Sequence, residues 1–558
     1  MPSGGNLLIL QWQAPSQANS LLSSGTKDLL AGSLVLEPLV DFAPSGDAVA
    51  RLVTEVPTVA NGGIPEDFTS ITYNLIPDVV WSDGSPFTSA DVVFSYEFCL
   101  DEATGCSAQP DPNIDSVEAL DDLTVRVNFI DPQPFPFVIF SGYTSPIISQ
   151  AQFGECIGAA ASGCTEQNFG PLGTGPYTIT ELRAEDTVLY TYNPNYRGLA
   201  DGKPYFDSVE LKGGGDAEAS ARSVLEIGEA DYGWNLQVAP EILLPMEEAG
   251  NGTIVTSFTA NVEHINLNGA NNRADAFRSE YLEDCEVGAT PFACNENPFF
   301  FRNTVLHDAM SMAIDRDSIV AVGYGPAGSP TCNIWPVGSE NSPNNDAVCQ
   351  YDPAAANAML DDAGWVDTDG DGIRNNPDTG DNLSFSYVTS TNAVRQSTQA
   401  IIKENWDAIG IETDMRNEDA SLFFDGTCAS DACIWKFFED IQMFTNGAIN
   451  SYAAGYLSGW LIRELPTEAK AWGGSNLSRL YEPEFDDLWA TAASTPLDDP
   501  GQDGLIHQLN DAIVEWNIIP LVHRGNVSAI SNRIGGFGEP NGWSSEYWNI
   551  ADWVDQNA

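Results

Sequence analysis

Ten cysteines fall, in sequence order, into five close pairs: Cys99 with Cys106, Cys156 with Cys164, Cys285 with Cys294, Cys332 with Cys349, and Cys428 with Cys433. Each pair brackets a stretch rich in Gly, Asn, Asp, Ser or Pro, the composition of a loop. The spacing predicts five local disulfides, each closing a short surface loop. Zinc is the rival reading. It fails because there is no CxxC and the chain has only four histidines, His264, His307, His507 and His523. Disulfides place the mature chain outside the reducing cytosol. The opening residues MPSGGN carry neither a basic region nor an apolar one. The expectation is that a signal sequence is absent because it was removed, leaving an added Met1 and an extracytoplasmic protein, periplasmic or lipid-anchored on the outer face of the cytoplasmic membrane.

The chain also has material for a sizeable core. It has 558 residues, of which 43% are hydrophobic, enough for three to four domains at about 150 residues each. Its charge excludes whole classes of partner. Against 80 acidic residues stand 22 basic ones, a net charge of −58. Nucleic acid is ruled out, since phosphate binding needs clustered Lys and Arg. An anionic membrane surface is disfavoured for the same reason. The acids are spread along the chain, as on a solvated surface that suits salty surroundings.

Alternation at period two over 67–77 and 123–131 reads as half-buried strands, and Asn6 to Gln13 as a buried strand. Between them, Thr88 caps a helix to about Cys99, with Asp91 in the capping-box position and Val92, Val93 and Tyr96 inward. Residues 175–196 read as a hairpin. Helices follow from Asn303, from Asp352-Pro353 with Gly364 as its stop, and over 393–409 with Gly410 as its stop. Strands at 383–389 and 411–416 flank that last helix, a β-α-β unit and hence an α/β fold with a parallel sheet. A C-terminal helix to about Glu515 precedes the strand IIPLVHR.

Enzyme templates fail in turn: no GxSxG, no HExxH, and Gly202-Lys203 followed by Pro204 is no phosphate loop. His307 lies on a helix amid core residues and His523 in an apolar strand, so neither reads as catalytic. One motif is sharp. In DTDGDGIRNNPD (367–378), Asp367, Asp369 and Asp371 take positions 1, 3 and 5 of a calcium loop. Gly372 makes the turn, Ile373 offers its carbonyl and Asp378 stands at position 12. A strand follows in place of a second helix, so the expectation is a structural Ca²⁺ and no catalytic cofactor.

A set of stretches in order resembles the solute-binding proteins of ABC importers in the oligopeptide, dipeptide and nickel group, family 5. They include WSDGSPFTSADVVFS (81–95), PLGTGPYTI (171–179), YNPNYRG (192–198), GKPYFDSVEL (202–211), SVLEIGEADYGW (223–234), MAIDRDSIV (312–320) and YDPAAANAMLDDAGW (351–365). The resemblance implies a two-lobed periplasmic-binding-protein-like clamp of the large cluster C type with an extra inserted domain. One lobe would comprise 1–45, 175–265 and 525–558, the inserted domain 46–174, and the other lobe 266–524. The guest would be buried by hinge closure and read by a permease. The protein would be a monomer and no enzyme; an exported glycoside or peptide hydrolase is the rival class, and a chemoreceptor-docking protein a third.

By the same resemblance, the ligand contacts are Gln11 and Trp12 at the end of the first strand, Trp234 and Asn235 after the GEADY turn, and Trp335 in the Cys332–Cys349 loop. Phe444, Thr445 and Asn446 after DIQM, and Trp460 downstream, complete the set. Peptide binders of the family often carry an aspartate just after that strand to hold the α-amino group. Here MFTNGAINSYAAGYLSGW has no acid. A neutral site pairs poorly with a buried ammonium, so an oligosaccharide or other neutral polar solute stands beside the oligopeptide as cargo. No histidine cluster supports nickel.

Overall fold

The computed structural model describes residues 2–557 apart from 3, 24, 108–109, 271–296, 425–427, 429, 449, 467–471 and 498. The chain forms two compact units, Met1–Phe258 with Ile449–Ser451 and Asn526–Ala558, and Thr259–Ala448 with Tyr452–Gly525.

The first unit is built on a seven-stranded mixed sheet. Its strand Asn6–Leu10 pairs parallel with Ser208–Lys212 on one side and Tyr232–Gly233 on the other. Parallel neighbours require both faces to be covered. Leu7 and Ile9 enter a core with Val209, Leu211, Tyr547 and Trp553, while Leu8 and Leu10 pack against Val224, Leu225 and Leu236. The strand stops at Leu10, short of the expected Gln13. The 177–192 hairpin closes one edge, and Asn526–Ser531 with Gly252–Ser257 the other, all antiparallel.

A three-stranded antiparallel sheet, Ser70–Asn74, Thr124–Phe129 and Ile114–Asp121, has its own core in this unit. Beside it lies the helix Ser89–Leu100, with the expected capping box: the Thr88 N–H donates to Asp91 Oδ2 at 2.9 Å. The pattern predicts one inner face, but two are buried. Val92 and Tyr96 face the sheet, whereas Phe94, Phe98 and Cys99 build a second core with Phe153, Cys106 and Cys156.

The second unit has a six-stranded sheet in the order Gly328–Pro330, Ile518–Arg524, Val262–Leu267, Ile441–Asn446, Ser384–Ser390, Glu412–Glu418. The last two are parallel and joined by the helix Ala393–Asp407, the expected β-α-β unit. Gly410, at φ +78°, ends that segment in a left-handed turn that favours glycine. Its expected boundary with the first lobe is displaced. Val262–Leu267, of which the sequence reading places 262–265 in the first lobe, is wholly buried between two antiparallel neighbours of the second sheet. The crossing falls after Phe258 instead of near 265, and the return after Gly525. A period-two pattern identifies a strand but not the sheet it joins.

Four of the expected disulfides are bonded: Cys99–Cys106, Cys156–Cys164, Cys332–Cys349 and Cys428–Cys433, with Cα separations of 5.3, 5.9, 5.6 and 5.2 Å. Cys285 and Cys294 lie outside the described residues.

Candidate functional site

In the first unit, the end of the Asn6–Leu10 strand and the turn after Tyr232–Gly233 meet because those strands pair. Trp12 Nε1 donates to the Asn235 carbonyl at 3.1 Å, and the Trp234 N–H to the Leu10 carbonyl at 2.9 Å. Trp12 and Asn235 are half-buried, and Asn235 sits at φ +56°. Trp234 belongs to the core under the sheet. Gln11 is fully buried and donates to the Lys27 carbonyl at 2.7 Å, while its Oε1 finds no donor.

In the second unit, Phe444, Thr445 and Asn446 end the strand Ile441–Asn446, opposite Val262–His264. Phe444 is buried with its ring edge-on to His264 at 5.1 Å. Burial pushes His264 down to about 4, so it is neutral at physiological pH. Its Nδ1–H donates to the Val262 carbonyl and Nε2 accepts from Asn266. Asn446 is half-buried. Trp335 and Trp460 are both buried and both pack on Tyr456, at 5.6 and 5.5 Å between ring centres. Trp335 Nε1 donates to Glu340 at 2.8 Å. The Cys332–Cys349 loop is thus anchored by a core tryptophan.

Thr445 leads to residues that sequence reading missed. Its hydroxyl donates to Glu263 Oε2. Glu263 is fully buried and takes Arg395 Nε on Oε1 at 2.8 Å and Arg395 Nη2 on Oε2 at 3.3 Å. Arg524 Nη1 lies 3.9 Å from Oε2 and donates to Thr445 Oγ1 at 3.3 Å. Burial pushes the Glu263 carboxyl up, but Arg395, Arg524 and the Thr445 hydroxyl together hold it below its ordinary value. Burial pushes Arg524 down. The signal was in the sequence: a glutamate inside a buried strand needs a cation. Its partners, however, lie more than a hundred residues away.

The loop between the helix Pro353–Asp362 and the strand Ser384–Ser390 gathers Asp367, Asp369 and Asp371. One carboxylate oxygen of each lies within 4.8 Å of the others, all exposed. Asp367 accepts from the N–H groups of Gly370 (2.6 Å) and Gly372 (3.0 Å), which lower its carboxyl. Gly372, at φ +93°, makes the sharp turn. Three converging carboxylates and no cation among the described residues of the cluster are the donor set a hard oxygen-loving ion takes. Asp378 stands outside the cluster, its N–H donating to Asn376 at 2.9 Å, and Ile373 donates its N–H to Asp371 at 2.8 Å.

The model of the bacterial extracellular solute-binding proteins, family 5, middle region, matches residues 54–460. The chain belongs to this family. Among family 5 relatives, the oligopeptide-binding protein AppA of Bacillus subtilis is 26% identical over 431 residues, 73% of this chain and 68% of that protein. A candidate ABC transporter peptide-binding protein of Brucella ovis is 26% identical over 337 residues, 59% of this chain. The match spans 54% of that relative, about half its length. Solved structures share the fold. AppA in complex with a nonapeptide gives a TM-score of 0.74 at 20% identity, with both chains covered fully. NikZ of Campylobacter jejuni in complex with Ni(L-His) gives 0.75 at 18% identity, covering 99% of each. The two-lobed α/β clamp of family 5 is therefore the fold of this chain. No helix of the described residues is long and apolar enough to cross a membrane.

Proposed function

We propose that this protein is an extracytoplasmic receptor that captures an oligopeptide or similar organic solute by clamp closure and delivers it, unchanged, to the permease of an ABC importer. The family match over 54–460 carries the reading, supported by local disulfides suited to an oxidising compartment. Water-excluding closure strengthens each polar contact to the guest. A shuttle must also release it, which sets affinity at roughly micromolar to nanomolar, ~8–12 kcal/mol. The fold does not choose the cargo: one relative holds a nonapeptide and another Ni(L-His). Native mass spectrometry of the freshly purified protein tests this. A retained ladder of peptide masses is expected at one per chain. A retained sugar moves the cargo to oligosaccharide, and chemical turnover of the guest overturns the receptor reading.

We propose also that the Asp367–Asp371 cluster takes a structural calcium ion, supported by its three converging carboxylates. Ca²⁺ at millimolar excess over EDTA should raise the melting temperature, and Asp369→Asn should abolish that rise. Equal melting with and without the ion removes the proposal.

A further inference from the structure

We propose that the first unit binds one small neutral polyhydroxylated molecule, a monosaccharide or a cyclic polyol, in a cavity walled by Ser544, Tyr547 and Trp548. This does not rest on the receptor reading above. The cavity has a volume of about 190 Å³. That is the space of about six waters at ~30 Å³ each, or of one sugar ring. Three polar atoms of its wall residues, Ser544 Oγ, Tyr547 Oη and Trp548 Nε1, are covered and have no hydrogen-bond partner among the described residues. Ser544 is 5% exposed and Tyr547 2%. Their neighbour Ser545 is matched, its Oγ lying 2.7 Å from Ser33 Oγ, so the segment as a whole is not short of partners. Buried polar groups in folded proteins are almost always bonded. All three atoms can donate, and the Trp548 indole can do nothing else. A guest that satisfies them must therefore bring several acceptor oxygens.

The charges of the wall decide that the guest is neutral. Arg51 pairs with Asp41 at 3.1 Å, Lys203 with Asp552, and Glu37 with Arg197 at 2.6 Å. Each charged side chain lining the cavity is thus already answered by an opposite one. A carboxylate or ammonium would lose its water and find no free counter-charge, whereas hydroxyls both accept and donate. Tyr143 and Tyr196, both half-buried, add aromatic carbon to the wall, a surface for the C–H face of a ring. The cavity is also separate from the ligand contacts that the family resemblance assigns. Lys203 precedes the strand Ser208–Lys212, which runs parallel to Asn6–Leu10. Trp12 follows Asn6–Leu10, so that part of the wall lies at the opposite end of the sheet.

The test titrates the full chain with D-glucose, D-galactose, D-mannose and myo-inositol, and with the charged counterparts D-glucosamine and D-glucuronate, by calorimetry at neutral pH. At least one neutral compound should bind saturably at one per chain, and the charged pair at least tenfold more weakly. Ser544→Ala or Tyr547→Phe should weaken the neutral compound about tenfold, ~1.4 kcal/mol. Both substitutions remove only an atom that has no partner within the chain, so the fold is kept. Binding by none of the neutral compounds leaves water as the partner of the three atoms and overturns the proposal. Equal binding of a charged counterpart overturns the neutral site. Sugar binding that survives both substitutions unchanged belongs to a cargo site elsewhere and overturns the assignment to this cavity, while leaving the receptor reading intact.

Discussion

Glu263, fully buried, and Glu546, half-buried, are the same residue in two settings, and the two units treat them oppositely. In the second unit Glu263 has two arginines and a threonine hydroxyl around it, and its carboxyl is held below the ordinary value. In the first unit Glu546 has hydroxyl donors alone, and its carboxyl is pushed up. The first unit is not simply short of cations. Glu37 there is clasped by Arg197 through two contacts of 2.6 Å and by Thr174 at 2.8 Å, and its carboxyl is lowered despite burial. A complete ion cluster is a finished piece of structure, whereas a carboxyl held by hydroxyls alone has no opposite charge to keep it ionised.

The largest effect that would break this comparison is Glu263→Ala. It removes the carboxylate beside two arginines that are 13% and 14% exposed. Removing one member of a buried pair costs about 3–5 kcal/mol. Calorimetry should show a strongly lowered transition for the second unit, with the first unit's transition unmoved. A loss below about 1 kcal/mol, the ceiling for exposed pairs, would mean that water reaches the cluster and that it is not the finished piece described above.

How far such features were legible before the structure depends on the distance between their parts. The capping box of Thr88 and Asp91, the Asp352 cap, the Gly410 stop and four of the five cysteine pairs are written in nearby residues and are found, the Cys285/Cys294 pair lying outside the described residues. The Glu263 cluster draws on strands at 262–267, 441–446 and 518–524 and on a helix at 393–407, so no window of sequence contains it. The family resemblance assigns Thr445 to the ligand contacts, and its hydroxyl donates to Glu263. The same resemblance assigns Trp335 and Trp460 to the ligand contacts. Their shared packing on Tyr456 could not be read from spacing, because it depends on where a disulfide loop folds back.

A smaller effect sharpens the comparison. Thr445→Val keeps the shape of the side chain but removes the hydroxyl that donates to Glu263 and accepts from Arg395 and Arg524. Hydrogen bonds to charged groups contribute about 1.5–3 kcal/mol. A loss in that range, read from denaturant midpoints at unchanged slope, would show that the hydroxyl is part of the charge balance. A loss of only a few tenths of a kcal/mol, within the scatter of ordinary surface substitutions, would assign the stability to the arginines alone.

The smallest effect is the most discriminating, because its sign depends on pH. Glu263 is lowered in the fold, so its stabilisation is present above the ordinary glutamate value and is lost as pH falls through the lowered one. Glu546 is raised, so the fold favours its protonated form. The ionised form costs stability as pH climbs from the ordinary value through the raised one. Glu546→Gln keeps an oxygen for Tyr232 and Ser528 and removes the ionisation. It should therefore melt at or slightly above the wild type at neutral pH, by about 1 kcal/mol or less in the ligand-free protein, and lose that advantage near pH 4. Glu263→Gln should show the reverse, a deficit at neutral pH that narrows in acid. Parallel pH profiles for the two variants would mean that the carboxylates sit in equivalent settings. A Glu546→Gln protein destabilised at neutral pH would mean that an unseen cation already completes that site.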